Sequence, residues 1–439
     1  MKTRSSRLIL AGVVVLLTGA AWLFLGNPPP TSQRLADGSS VSLLDVSYGR
    51  KHVLATGPIW HRALGRLLPE KVARRLGIHL ISHTTTNDTL MVWTELRDFA
   101  VPANQMALAP LAISDGQGTE IFEQSPQIHS IATNQLVQGT VFPVVPRGSN
   151  RLRVLVGPFN ASDRARQTLL FHTPTPAPRL RPAWQASPFP IEVQAGDLKF
   201  VLTGLRPLHR HEGRFAETDT ETWMAASCRF SEGGTITTNW RVEKVEVFDE
   251  AGARYKPISH SYSAGAELTR KEVEFRGGLG TNAVWKLRLT LAKTGGFSSN
   301  EVVSMGRLPI PTADPGRSKP ISLDIQGVKL SVHSEFFGNQ PSLVAQLDVP
   351  DESVQLTALK LVDQHGANIH SSPYGNRFKG SFGWALSPRQ EAERRNITLP
   401  ETELINVTLA LSRLRTVELL VRPEPPFKYS PSTFPASDK

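Results

Sequence analysis

The sequence predicts a mainly β protein: an N-terminal transmembrane helix, then three tandem antiparallel β-sandwich domains, with one short basic helical segment in the first. Three observations predict it. An apolar run without charge opens the chain. The signal Asp-x-x-Gly closes a β-type run three times, at Asp115–Gly118, Asp249–Gly252 and Asp363–Gly366. The strands around those signals alternate apolar and polar residues, as an antiparallel sheet with one wet face requires.

The opening run spans Leu8 to Gly26, about 19 residues, behind Lys2, Arg4 and Arg7. That length spans a hydrocarbon core as a helix, and the basic flank favours the cytoplasmic side. A cleaved signal peptide competes, but Trp22-Leu-Phe-Leu25 continues the run past the small residues Thr18-Gly-Ala20-Ala21. The expectation is an uncleaved anchor with residues 1–7 as a cytoplasmic tail, 8–26 as the span and 27–34 as a proline spacer. No second apolar span follows, which excludes a transporter or channel.

Asp at the first position of a type I turn bonds the backbone two residues on, and Gly at the fourth takes a left-handed conformation. Each copy opens on Gly and an alternating strand: Gly38 to Leu43, Gly196 to Phe200 and Gly327 to Val332. An apolar strand precedes each turn: Leu90 to Leu96, Trp223 to Phe230 and Leu343 to Val349. Roughly 35 to 45 residues past the turn comes another period-2 strand: Leu152 to Val156, Trp285 to Leu291 and Ile405 to Leu411. A last strand is expected to close each unit on itself: Thr168 to Phe171, Glu301 to Val303 and Thr416 to Val421.

Proline-rich stretches follow every copy and act as semi-rigid spacers. The expected organisation is therefore sandwich 1 over 35–173, a linker over 174–188, sandwich 2 over 189–311, a linker over 312–318, sandwich 3 over 319–423 and a disordered tail over 424–439. Each sandwich is large enough to hold its own core. Cys228 is the only cysteine, so no intramolecular disulfide contributes. It alternates in phase with Met224 and Phe230, which marks a buried thiol rather than a nucleophile.

The chain carries +10 formal charge, and the part beyond the tail +7. Arg147, Arg151, Arg153, Arg164, Arg166, Arg179 and Arg181 gather against one acid, Asp163. A polyanion contact with anionic lipid, wall polymer or acidic glycan is one reading, and solvated strand faces are the other. A second cluster, Arg62, Arg66, Lys71, Arg74 and Arg75, falls in a segment that reads as helical after Pro58 and Pro69. Ile59, Trp60, Ala63, Leu64 and Leu67 share one face of it. Either it rests on anionic headgroups or it caps the open end of the first sandwich.

No nucleophile elbow, P-loop, His-Glu-x-x-His or EF-hand loop occurs, and the sequence implies no cofactor. Gly277-Gly-Leu-Gly280 has no helix after it and reads as a turn. His209, His211 and Glu212 sit in what reads as one polar loop with Glu217, Asp219 and Glu221. Imidazole and carboxylate ligands suit zinc, whereas Arg210 and Arg214 oppose a cation. Nucleic acid is not expected as a partner, since no recognition helix, finger spacing or ribonucleoprotein motif is present.

With anchor, spacer and repeated strands placed, the chain resembles the uncharacterised bacterial envelope proteins built from a membrane anchor and tandem immunoglobulin-like sandwiches. The resemblance is architectural and carries no functional residues across. It differs from fibronectin-type modules, because Trp93 and Trp223 occupy comparable strands and the third copy has no such tryptophan. The resulting expectation is a non-enzymatic, single-pass, extracytoplasmic binding or scaffolding protein of the cell envelope. Its partners would be the membrane and an envelope protein or anionic polymer. Contacts are expected at the loops Leu44 to Thr89, Thr203 to Glu221 and His333 to Pro341. The alternative is an envelope hydrolase of polysaccharide or peptide, metal-dependent through His209 and His211. A stress-sensing anchor is a third reading, for which a seven-residue tail leaves little output.

Overall fold

The computed structural model describes residues 32–34, 38, 40–57, 59–98, 108–114, 119–122, 125–132, 135–143, 151–158, 167–172, 184–211, 220–250, 252–255, 257, 259–263, 271–310, 316–337, 340–373, 380–387 and 404–425. These residues are mainly β, in several antiparallel sheets. None of their helices is long and apolar enough to cross a membrane. The run 8–26, the Asp115 corner and most of the linkers lie outside the described residues.

The first segment supplies β1 (Ser32–Arg34), β2 (Ser40–Ala55), β3 (Leu80–Arg97), β4 (Leu108–Ser114), β5 (Glu120–Phe122), β6 (Ser125–Ala132), β7 (Gln135–Phe142), β8 (Arg151–Pro158) and β9 (Gln167–His172). They form two sheets, β1-β2-β3-β7-β6 and β5-β4-β8-β9. Val41, Leu90, Val92 and Leu96 of one face Ile113, Ile121 and Val154 of the other across a buried core. Trp93 is fully buried on the opposite side of β3, in a smaller cluster with Leu54, Met91 and Val137. Its cross-strand neighbour is Gly139, where an added Cβ would meet the ring at 2.6 Å.

The second segment supplies β10 (Ile191–Ala195), β11 (Leu198–His211), β12 (Thr220–Glu232), β13 (Thr235–Thr237), β14 (Trp240–Phe248), β15 (Arg254–Tyr255), β16 (Ser259–Ser263), β17 (Lys271–Arg276), β18 (Trp285–Lys293) and β19 (Val302–Pro309). The third supplies β20 (Ile321–Ile325), β21 (Val328–Phe337), β22 (Gln340–Leu347), β23 (Val354–Asp363), β24 (His370–Pro373), β25 (Ser381–Ser387), β26 (Leu404–Arg413) and β27 (Arg415–Val421).

The strand order repeats. One sheet of each pair runs first-second-third-then a returning hairpin: β1-β2-β3-β7-β6, β10-β11-β12-β17-β16 and β20-β21-β22-β25-β24. The two described Asp-x-x-Gly corners, after β14 and at the end of β23, sit at matching places in the other sheet, with the same geometry. Asp249 N–H donates to Ala253 O at 3.0 Å, and Asp363 N–H donates to Ala367 O at 2.9 Å. Each carboxylate accepts the N–H four residues on at 2.8 Å. Gly252 and Gly366 close the turn at φ 79 and 86, where a Cβ would be strained.

The closing strands differ from the expectation that each unit closes on itself. In the first pair β9 does so, against β8. In the other two the strands are exchanged. β27, the end of the third segment, pairs with β18 of the second, and β19, the end of the second, pairs with β26 of the third. Only Leu414 separates β26 from β27, and its N–H donates to Ser353 O at 2.7 Å. Two antiparallel segments, 285–309 and 404–421, thus run through both sheet pairs.

Packing agrees with the pairing. Val417, Leu419 and Val421 bury against Leu287, Leu289 and Leu291. Met305 and Leu308 bury with Ile405, Val407 and Leu409. Apolar burial carries most of the exchange, and polar pairs across the strands match its register. Glu418 of β27 lies opposite Arg288 and bonds it at 2.6 Å. Ser304 of β19 lies opposite Thr408, their hydroxyls 3.0 Å apart. The joint is secured further by Arg415 on Asp197 at 2.9 Å, by Ser187 N–H on Leu420 O at 3.1 Å and by Glu424 N–H on Leu205 O at 2.8 Å. Parts of the expected 174–188 linker and 424–439 tail are therefore tied to the second sheet pair.

Candidate functional site

The stretches expected as loops between the first two strands are mostly strand. β2 and β3 continue past Leu44 and back to Thr89, and β11 runs through His211. Runs of polar residues, among them His83 and Thr84, hid these extensions, because they lack the apolar alternation that marks a strand. Between β2 and β3 lies an insert with helices Ile59–Leu67 and Glu70–Arg75. It is the one connection of its kind among the described residues, and it is the principal candidate contact surface.

The insert is fixed to the strand ends by its own small core, Ala55, Ala73, Ile78 and Leu80, with Leu64 and Leu68 against it. Gly65 brings the first helix so close to β2 that an added Cβ would stand 2.4 Å from Ala55 Cβ. Pro69 stands at the N-cap of the second helix rather than inside its first turn. Glu70 follows and holds Lys51 at 2.7 Å and Arg74 at 2.8 Å. Those hydrogen bonds, from Lys51 first, keep its carboxyl below the usual carboxylate range.

Not all of the apolar face turns inward. Trp60 is 50% exposed, Val72 40% and Leu76 58%. Lys71, Arg74 and Arg75 beside them are exposed as well. Of the face expected to pack, Leu64 lies against the insert's own small core and Trp60 turns out, while the side chains of Ile59, Ala63 and Leu67 lie outside those described.

Beneath the insert, His52 ties β2 to β3. Its Nδ1 lies 2.8 Å from Ser47 Oγ and its Nε2 3.0 Å from Thr89 Oγ1. The imidazole is fully buried, and burial, with His83 nearby, lowers its pKa. A Ser–His pair can serve as nucleophile and base, but this ring has no surface for a substrate to reach. No local pattern marks this pairing, since the partners lie 5 and 37 residues away.

The other sequence candidates are placed only in part. His209 and His211 lie in β11, not in a loop, opposite Thr222 and Thr220. Glu212 lies outside the described residues, among which no group of three metal-binding side chains gathers. Arg151 and Arg153 stand on β8 opposite His172 and Leu170, with Arg153 exposed. Arg147, Arg164, Arg166, Arg179 and Arg181 lie outside the described residues. Cys228 is buried beside Met224 and Phe230, and burial pushes its thiol up to about 12.

A charge cluster missed in the sequence crosses the exchanged joint. Glu246 is 3% exposed and is held by Lys244 at 3.0 Å, by Arg254 and, at 3.9 Å, by Arg288. Burial raises its pKa, and the Lys244 and Arg254 contacts outweigh that and hold it below the ordinary range. Lys286 and Arg288 also lie over the Phe248 ring, each 4.9 Å from its centre. The cluster is an ion-pair network across four strands, with its acid covered.

No protein-family model matches the chain, and no curated protein matches it.

Proposed function

We propose that the chain is a membrane-anchored, extracytoplasmic binding or scaffolding protein of the cell envelope, built from three tandem immunoglobulin-like sandwiches. It acts through surface contacts with an envelope protein or anionic polymer rather than by catalysis. The repeated sheet order supports the immunoglobulin-like reading. With β11 as strand A, the second pair reads A-B-E-D over C′-C-F-G, with β10 added ahead of A. The charge-free run 8–26 behind Lys2, Arg4 and Arg7 supports the anchor.

The observation that carries the scaffolding role is the exchange of β19 and β27. Two segments shared by both sheet pairs turn a flexible joint into a fixed one, which suits a spacer that holds a contact surface at a set position. Contact residues on loops of such a frame are the usual route to binding.

The test is the full chain carrying a reporter at its C-terminus that is active only outside the cytoplasm, followed by alkaline extraction of membranes. The expected result is an active reporter and a protein that stays with the membrane. Cross-linking in intact membranes should then trap a discrete partner. An inactive reporter, or full release at alkaline pH, overturns the reading.

A further inference from the structure

We infer that the helical insert 59–76 of the first sandwich is a docking surface for an anionic lipid bilayer. The inference rests on the anchored reading above and goes beyond it, by giving the tethered molecule a second, reversible membrane contact.

Composition is the first argument. Between Ile59 and Leu76 stand Arg62, Arg66, Lys71, Arg74 and Arg75 against one acid, Glu70. Glu70 is already engaged by Lys51 and Arg74. Half of the exposed large hydrophobic side chains among the described residues, Trp60, Val72 and Leu76, lie here. An exposed indole, two aliphatic side chains and surrounding cations are what headgroup-level binding uses. The small core under the insert leaves these groups out although Leu64, Leu68 and Ala73 are turned in.

Direction is the second, independent argument. β1 is antiparallel to β2, with Ser32 opposite Ser42 and Arg34 opposite Ser40. Followed toward its N-terminus, the chain therefore heads along β2 toward Ala55, where the insert begins. The chain thus enters β1 from the side of β2 that leads to the insert. Ala55 is thirteen residues beyond Ser42, ~43 Å along an extended strand. Five residues lie between Gly26 and Ser32, six steps that reach at most ~22 Å. A bilayer holding 8–26 would then lie no farther out along β2 than the insert.

The experiment uses the full chain, with Leu76→Cys carrying an environment-sensitive fluorophore. Leu76 is exposed, and native Cys228 stays unlabelled because it is buried with its thiol pushed up to about 12. The protein is reconstituted into vesicles of phosphatidylcholine alone, or of phosphatidylcholine with phosphatidylglycerol. The expected result is a blue-shifted, several-fold brighter signal only in the anionic vesicles. Lys71→Glu with Arg75→Glu should cut that gain at least fivefold, about what one cation contributes near an anionic surface. A label at Lys71→Cys gives a second reading of the same face.

A water-like signal in both compositions overturns the inference, as does an equal signal in both. Alkaline extraction of the same vesicles separates this from the anchored reading. Protein that stays with the membrane while the label remains water-like leaves the anchor standing and removes the docking surface. Protein that is extracted, but gives the anionic-specific signal before extraction, keeps the docking surface and removes the anchor.

Discussion

The first sheet pair and the joined second and third use the same strand order but close it differently. β9 returns beside β8 in its own unit, whereas β19 and β27 trade places. Strand closure in the first unit is therefore local, although its core runs on into that of the second. In the other two it is shared, and damage to one end of the chain is felt in the middle. The contrast also divides the labour proposed above, with the locally closed unit carrying the helical insert and the interlocked pair acting as the frame.

The sharpest way to break the contrast is a chain ending at Leu414. Val417, Leu419 and Val421 are almost fully buried, and losing them removes roughly 5–9 kcal/mol of burial, as much as a whole domain's net stability. The second sandwich, not the third, should become protease-sensitive along β18, while the first stays resistant. A synthetic β27 peptide should restore protection. Resistance of 191–293 in the truncated chain would mean that the exchange does not hold the frame.

Local damage should stay local. Gly139→Val sets a side chain against the buried Trp93 ring, at about 1–3 kcal/mol for overpacking. It should lower the melting of the first unit and leave the joined pair unmoved. Asp363→Ala removes an oxygen that accepts N–H groups of His365 and Ala367, at about 1–3 kcal/mol. It should lower the transition of the joined pair alone, by calorimetry.

Histidine titration acts on both sides of the comparison. His52 and His333 are buried, and burial lowers their pKa below the ordinary 6.5, with Arg317 adding to the effect on His333. The unfolded chain then binds more protons than the folded one below about pH 6.5, so stability rises with pH in that window and falls as acid is added. Denaturant midpoints measured across that window should decline toward acid. His52→Asn should flatten the slope of the first unit only, and an unchanged slope would show that its imidazole does not titrate with folding. The smallest effect is expected of Glu418→Lys. Glu418 is well exposed, so after solvent screening the loss should stay under about 1 kcal/mol, and added salt should shrink it.

The fold was legible where its signals are local. Asp249 and Asp363 mark corners because a carboxylate and a glycine three positions on suffice to make the turn. Inward alternation from Trp285 to Leu291 likewise survives in the burial of every second residue. The exchange was not legible. Val302-Val-Ser-Met305 and Val417-Glu-Leu419 alternate alike, and only the partners, Thr408 for one and Arg288 for the other, tell them apart. The insert was half legible: its charge and helical spacing were plain, but nothing along the chain says that Trp60 turns out while Leu64 turns in. The His52 and Glu246 clusters depend wholly on tertiary pairing and left no trace in the sequence.

Synthesis gives the exchanged strand a temporal meaning. The edge of β18 is made first and its cover, β27, about 120 residues later; at 5–20 residues per second that gap is on the order of ten seconds. Through that interval the middle module has an open flank, and β27 is what seals it. A message cut short anywhere in the third module would therefore release a product already faulty in the second.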